Sequence, residues 1–320
     1  MVAAILLYAT VSPRQPTYQG RTISAWQDDW AARKNRVWMD ALKQVGTNAL
    51  PSVVQNLALR DSAWRSGYEA FQAKLPGLLQ YVFRKPKPLL EEVDGANAFF
   101  YIGSNSLPCA IVLLKHKSPS VRQAAAWGLS SLRRESPAAA QAIPALTDAL
   151  SDKDRMVRFD AAMALKEMGP EASNAVPALA REVAFTGTGP ETNAQFYNRA
   201  VAAAALGKIG PAASNALPAL RAAMHESSSY LRGQSAVAIW RVTGDVDTTL
   251  PVLLNEMPSN NENNKWDWII ALGEMRARAA IPQLETERQK DREPWVLNYV
   301  TNALERIDTN ANAAIDADKK

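Results

Sequence analysis

Cysteine is almost missing from this 320-residue chain: Cys109 stands alone. One thiol excludes an intrachain disulfide and a cysteine-built zinc cluster. Histidine is as scarce, with only His116 and His225, far apart in sequence. A Ser/His/Asp or Cys/His catalytic system would have two possible bases, and a histidine-rich metal centre is not expected. Glycine is sparse at 15 residues, and neither GxGxxG nor GxxxxGK[ST] occurs, so no glycine loop is offered to a nucleotide phosphate. The acidic pairs Asp28-Asp29 and Glu91-Glu92 are sequence neighbours, which point in different directions on a helix, so neither makes an acid/base dyad. Nothing in the sequence calls for a cofactor or a metal, and no enzymatic activity is expected.

What the chain does have is a globular balance, 47% hydrophobic and 21% charged, which rules out wholesale disorder. The charge is unevenly spread. Through Arg134 there are 17 Lys/Arg against 8 Asp/Glu, and from Glu135 onward 19 against 24. A basic N-terminal half can attract an anionic partner, although a solvated surface of uneven charge explains the same numbers more simply.

Residues 2–11 (VAAILLYATV) form an uncharged apolar run, followed by the polar, proline-bearing SPRQPTYQG. Ten helical residues span about 15 Å, half of a hydrocarbon core of about 30 Å, so the run cannot cross a bilayer alone. It fits the apolar part of a signal-anchor or, alternatively, a leader that packs on the fold. The first reading is favoured. It makes residues 1–17 a tether and the protein membrane-anchored and extracytoplasmic; without it the protein would be cytoplasmic.

The strongest signal is repetition. Prolines preceded by an aliphatic residue recur at Pro108, Pro144, Pro177, Pro218, Pro251 and Pro282, with spacings of 36, 33, 41, 33 and 31. Fourteen residues after four of these prolines stands a base, Arg122, Arg158, Arg232 and Lys265, and after Pro177 the base Arg199 is displaced by the eight-residue insertion 185–192. Small pairs follow (Ala125-Ala126, Ala161-Ala162, Ala202-Ala203, Ser235-Ala236), then an aliphatic at Leu129, Leu165, Leu206, Ile239 and Leu272. Proline in the first turn costs no hydrogen bond, alanine pairs permit close helix approach, and Gly169-Pro170 and Gly210-Pro211 stop a helix. Each unit therefore reads as a helical hairpin that must bury one face against the next, and the fold class is an all-α, right-handed α-solenoid. The predicted hairpins are 107–134, 143–168, 176–209, 217–243, 250–275 and 281–307.

The segments IPALTDALSDKDRMVRFDAAMALKEMGPEASNAVPAL and VPALAREVAF…NRAVAAAALGKIGPAASNALPAL resemble HEAT repeats, including the phycobilin-lyase-like subtype, in the PAL opening, the Val-Arg pair and the ALxxxGP close. The resemblance covers 104–307. It implies a scaffold that binds a protein or peptide along the concave face formed by the second helices. Two other implied classes are an alkylated-base DNA glycosylase, which would need a basic aromatic groove, and a phycobilin lyase. The N-terminal third, 18–103, carries the same grammar with interruptions: Gly46-Thr47-Asn48 and Gly103-Ser104-Asn105 each precede a Leu-Pro, and Arg84-Lys85-Pro86-Lys87-Pro88 reads as an exposed basic loop. The stretch 18–26 resembles a short motif that follows the anchor in some bacterial HEAT-repeat proteins. Residues 308–320 read as a disordered tail.

The candidate binding residues are the basic row Arg122, Arg158, Arg199, Arg232 and Lys265 with Trp127 and Trp240 on the same helices. The resemblance implies that such arginines bond to neighbouring loops or to an aspartate. Asp152 and Asp154 are the only aspartates in place, so several of the cations are expected to need backbone carbonyls or an acidic ligand. The ladder role is favoured over recognition. Trp127 and Trp240 are equally compatible with core and with an exposed anchor; Trp26 and Trp38 read as core. His116 and His225 read as turn residues, and Cys109 as a small packing residue rather than a reactive thiol.

Overall fold

The computed structural model describes residues 16–33, 37–74, 92–133, 136–185, 193–257, 266–290 and 294–317. The predicted leader through residue 15, the basic loop 84–88, Lys265 and most of the insertion 185–192 lie outside them. The chain forms two compact units, Met1–Met168 and Gly169–Lys320.

The first unit opens on a two-strand turn, β1 (Thr17–Tyr18) and β2 (Arg21–Thr22), with Gln19 and Gly20 both at positive φ, as a tight two-residue hairpin loop requires. Arg21 lies 4.2 Å from the Trp26 ring centroid, and Trp26 Nε1 donates to Tyr18 O at 2.9 Å. Helices α1 (Ile23–Arg33), α2 (Val37–Val45), α3 (Leu50–Arg60), α4 (Ala63–Ala73) and α5 (Glu92–Ile102) follow. Gly46 and Gly103 take positive φ where the repeat grammar places a helix stop. Trp26 and Trp38 are core residues, as expected from the sequence.

Hairpins then follow at nearly the predicted positions: α6 (Leu107–Leu113) with α7 (Pro119–Arg133), and α8 (Ile143–Ala149) with α9 (Arg155–Met168). The second unit holds α10 (Val176–Val183) with α11 (Asn193–Ile209), α12 (Leu217–Ala223) with α13 (Ser229–Thr243), α14 (Val246–Glu256) with α15 (Trp266–Glu274), and α16 (Ile281–Lys290) with α17 (Pro294–Ala317). The fold is an all-α solenoid of stacked hairpins.

The two helices of a hairpin start differently. Helices α6, α8, α10 and α12 carry proline in the first turn and no side-chain cap, because a 3₁₀ segment such as Pro137–Ala142 or Gly210–Ala216 runs directly into them. Three of the second helices, α7, α9 and α13, are capped by an acid or a serine. Asp154 accepts from Met156 N and Val157 N, Ser228 from Leu231 N, and Asp61, reaching across from the end of α3, from Ser120 N and both the Ser118 and Ser120 hydroxyls.

The small-residue pairs are fully buried, so backbones of adjacent second helices come close. A Cβ added at Gly207 would stand 2.9 Å from Ala238 Cα, and one at Gly273 2.8 Å from Ala303 Cα. In α15 the pair is replaced by Trp268 and Ile269, and the structure shows how. Trp268 is completely buried over Gly233, whose missing side chain leaves room for the indole.

Two boundaries differ from expectation. Helix α14 begins at Val246, four residues before Leu250, because Asp245 accepts from Thr248 N and starts the helix early, with Pro251 inside it. The tail expected to be disordered continues α17 to Ala317; NANAAIDA contains no proline or glycine to stop it. Among the described residues no single helix is long and apolar enough to cross a membrane; one pair, Asp94–Ile102 and Ser104–Leu113, passes only when taken together, bent by 113°.

Candidate interaction surface

Arg122, Arg158, Arg199 and Arg232 each stand near the start of a second helix and turn back over their own loop. Arg122 Nη1 donates to His116 O and Lys117 O at 2.9 and 3.1 Å. Arg232 Nη1 does the same to Glu226 O and Ser227 O at 2.7 and 2.8 Å, and Arg158 Nη1 reaches Asp152 O at 3.0 Å. Arg199, in the hairpin with the insertion, donates through Nε to Val183 O at 2.8 Å. In Arg122, Arg199 and Arg232 the rest of the guanidinium reaches the next hairpin. Arg122 grips Asp152 with two bonds of 2.6 and 2.7 Å. Arg232 grips Glu256 with two of 2.8 Å, and Arg199 Nη2 meets Glu226 at 2.6 Å.

The expectation that several of these cations lack acids is therefore corrected. Glu226 stands eight residues after Pro218, as Asp152 stands eight after Pro144, so the acid was present in register but as glutamate. Glu256 stands five after Pro251, an offset shared by Glu182 and Glu287, and all three are buried at 3–8% exposure. The longer glutamate side chain reaches the guanidinium from one helical turn earlier.

Burial raises the Asp152 and Glu256 carboxyls, but hydrogen bonds and charge from Arg122 and Arg232 outweigh it and hold both below the usual carboxylate range. The folded protein thus binds these protons more weakly than the unfolded chain. Their contribution is present above the ordinary value of about 4 and is lost as pH falls below it through the folded values. The thermal midpoint should decline between about pH 5 and 3, and Asp152→Asn should flatten part of that decline. An unchanged slope in the variant would place the acid sensitivity elsewhere.

Trp127, on α7, is 40% exposed although the residues around it on the helix, Ala126, Gly128 and Leu129, are buried. Trp240 is only partly buried and packs against the core of the second unit. Tyr197 and Tyr230 occupy the same register two residues before the arginines and stack at 5.1 Å between centroids. Burial, and the neighbouring Tyr197 and Asp267, push the Tyr230 hydroxyl well above its ordinary pKa.

His116 and His225 both fall in turns between helices, as expected from the sequence. The His116 pKa is lowered by burial first and then by Lys117, and its Nδ1 accepts from Ser118 N at 3.1 Å. No group of three or more His, Cys, Asp or Glu side chains that could hold a metal ion stands among the described residues. Cys109 is 2% exposed, and burial pushes its thiol up to about 11. A maleimide reagent at neutral pH should leave native protein unmodified for hours and label one thiol per chain once urea unfolds it. Rapid labelling of native protein would mean that α6 opens readily.

The family model for HEAT repeats matches residues 108–184, from the first proline of the regular repeats to the end of α10. No curated protein matches the chain. Among solved structures, the karyopherin Kap121p bound to the extreme C-terminus of the protein phosphatase Cdc14p superposes with a TM-score of 0.51 at 15% identity, over 90% of this chain and 33% of that one. The complex of CpcE and CpcF of phycocyanin lyase from Nostoc sp. PCC7120 gives 0.47 at 17% identity, over 74% of this chain and 98% of that one. At 15% identity the likeness to the karyopherin is one of fold.

Proposed function

We propose that this protein is a non-enzymatic interaction scaffold whose second helices receive a protein or peptide partner, and that residues 1–17 tether it to a membrane. The observation that carries the reading is Trp127. A large indole left exposed on a helix whose neighbouring positions are buried has no packing role that requires it there, and exposed tryptophans are favoured anchors at protein interfaces. The fold likeness to a karyopherin holding a peptide is consistent with such a use and adds no partner identity. The arginine row serves the scaffold by locking loops together and so holding the receiving helices in place. With Asp152, Glu226 and Glu256 bound to it, the row offers little charge to phosphate, which argues against the nucleic-acid alternative.

A photo-crosslinking amino acid at position 127, compared with one at the exposed Leu59 on α3, tests the reading in the native host. One partner captured from 127 and not from 59 is expected. Binding of that purified partner should weaken about tenfold or more in Trp127→Ala without loss of thermal stability. Equal capture from both positions, or full binding by the variant, would overturn the placement. Recovery of the full chain in the soluble fraction would overturn the tether.

A further inference from the structure

A cleft of about 430 Å³ lies in the first unit, between the hairpin of α6 and α7 and that of α8 and α9. Leu114, just after α6, and Ala145 and Ala149 on α8 give it an apolar lining. Arg122 and Asp152 also line it, and they are bound to each other by two short bonds, so their charges offset. The remaining polar lining comes from both loops: Lys115 and His116 on one hairpin, Asp148 and Lys153 on the next.

The acids near the cleft are mostly engaged. Asp152 holds Arg122 and accepts from Asp154 N, Asp154 caps α9, and Asp61 caps α7. Asp148 has a loose contact, 3.9 Å from Lys115 Nζ with both side chains about three-quarters exposed, a geometry that contributes little. The lysines are less committed. Lys153, and Lys117 next to His116, make no hydrogen bond or ion pair among the described residues. His116 registers the sign of the local field: after burial, Lys117 and then Arg122 lower its pKa, against a smaller upward pull from Asp61. Because His116 Nδ1 accepts from Ser118 N, the neutral ring carries its proton on Nε2, and that N–H has no partner among the described residues.

We propose that this cleft binds the phosphoryl group of a phosphate monoester, with Lys115, Lys153 and the His116 Nε2–H as its donors. Donors from two loops suit a group with three acceptor oxygens and close to two charges better than a carboxylate, which has two oxygens and one charge. Ammonium groups act on phosphate as point charges and need no fixed approach. The alanines and Leu114 offer an apolar wall to the carbon skeleton that carries the ester. Asp148 is a competitor belonging to the protein: it holds Lys115 and repels the ligand. Trp127 does not line this cleft, so the site goes beyond the scaffold reading and does not depend on it.

The chain has only two histidines, so proton NMR of their rings provides both a probe and a control. The full chain is titrated with N-acetyl-phosphoserine amide at constant ionic strength. At saturation His116 should titrate about one pH unit higher, because an anion beside the ring favours the imidazolium, and His225 should not move. The unphosphorylated serine amide should have no effect. Lys153→Gln should weaken binding about tenfold, and Asp148→Asn should tighten it several-fold, both at exposed positions and with unchanged melting temperature. Absence of binding, an unmoved His116, or an affinity that ignores both substitutions overturns the site. Inorganic phosphate should bind more weakly, since it lacks the part that meets the apolar wall; equal affinity would overturn the monoester in favour of the free ion. Tighter binding of a single-stranded oligonucleotide, whose diesters carry one charge each, would overturn it in favour of nucleic acid. None of these outcomes bears on the capture experiment at position 127.

Discussion

Trp268→Ala is expected to destabilise the second unit by about 3–5 kcal/mol, the range for emptying a buried indole site. The residue is fully buried and belongs to the core formed by α13, α15 and α17. It occupies the place where earlier repeats carry the small residues Ala125, Ala161, Ala202 and Ser235, so the hole left by the indole is far larger than the side chain usual at that position. Gly233→Ala should be destabilising for the opposite reason. Its new Cβ would lie 2.2 Å from Trp268 Cζ2 and 2.4 Å from Cε2, and a rigid ring buried on all sides cannot swing away. Overpacking of this kind costs about 1–3 kcal/mol, occasionally more. The double variant Gly233→Ala, Trp268→Ala should be distinctly less unstable than the two single effects added, because the alanine methyl then enters space the indole has left. Urea unfolding of the four proteins measures this, and strict additivity would show that the two residues do not depend on each other.

The second large effect is expected at Asp152. Its carboxylate holds Arg122, whose side chain is 7% exposed, and also accepts from Asp154 N at 2.8 Å. Asp152→Ala leaves a buried guanidinium with only the His116 and Lys117 carbonyls, and breaking a buried pair from one side costs about 3–5 kcal/mol. Removing both partners, as Arg122→Met with Asp152→Leu, should recover most of that loss, since the penalty comes from the stranded charge and not from the absence of attraction. A loss below about 1 kcal/mol in Asp152→Ala would put this pair in the class of exposed surface ion pairs and remove it as a structural tie.

The periodic features were the legible ones. An aliphatic residue before proline marks the start of α6, α8, α10, α12 and α16, because both residues serve the same local geometry each time. The basic residue at a fixed offset foretold the row at Arg122, Arg158 and Arg232, and the offset alone placed these at the loop end of their second helices. What escaped the sequence reading lay in pairs distant along the chain. Glu226 is in register with Asp152 but is a glutamate where the repeat pattern has aspartate; Glu256 reaches its arginine from a different turn. The glycine at 233 and the tryptophan at 268 each break the repeat pattern, and only their contact explains both departures. The early start of α14 followed from a cap, Asp245, that overrode the proline signal. Trp127 could not be assigned to core or surface from spacing, because exposure depends on what the neighbouring helices cover.

The loop ladder also bears on how such an array can grow. The hairpin of α12 and α13 carries both halves of the joint: Glu226 receives Arg199 from the hairpin before it, and Arg232 reaches Glu256 in the hairpin after it. A tandem duplication of that hairpin would place the copied Glu226 where the first Arg232 expects an acid, and the copied Arg232 before Glu256. Both new seams would close with charges already encoded in the copied stretch, without a compensating mutation. Lengthening by gene duplication is therefore open to this segment in a way it is not to the α14–α15 hairpin, where a copied Trp268 would have to find a glycine beneath it.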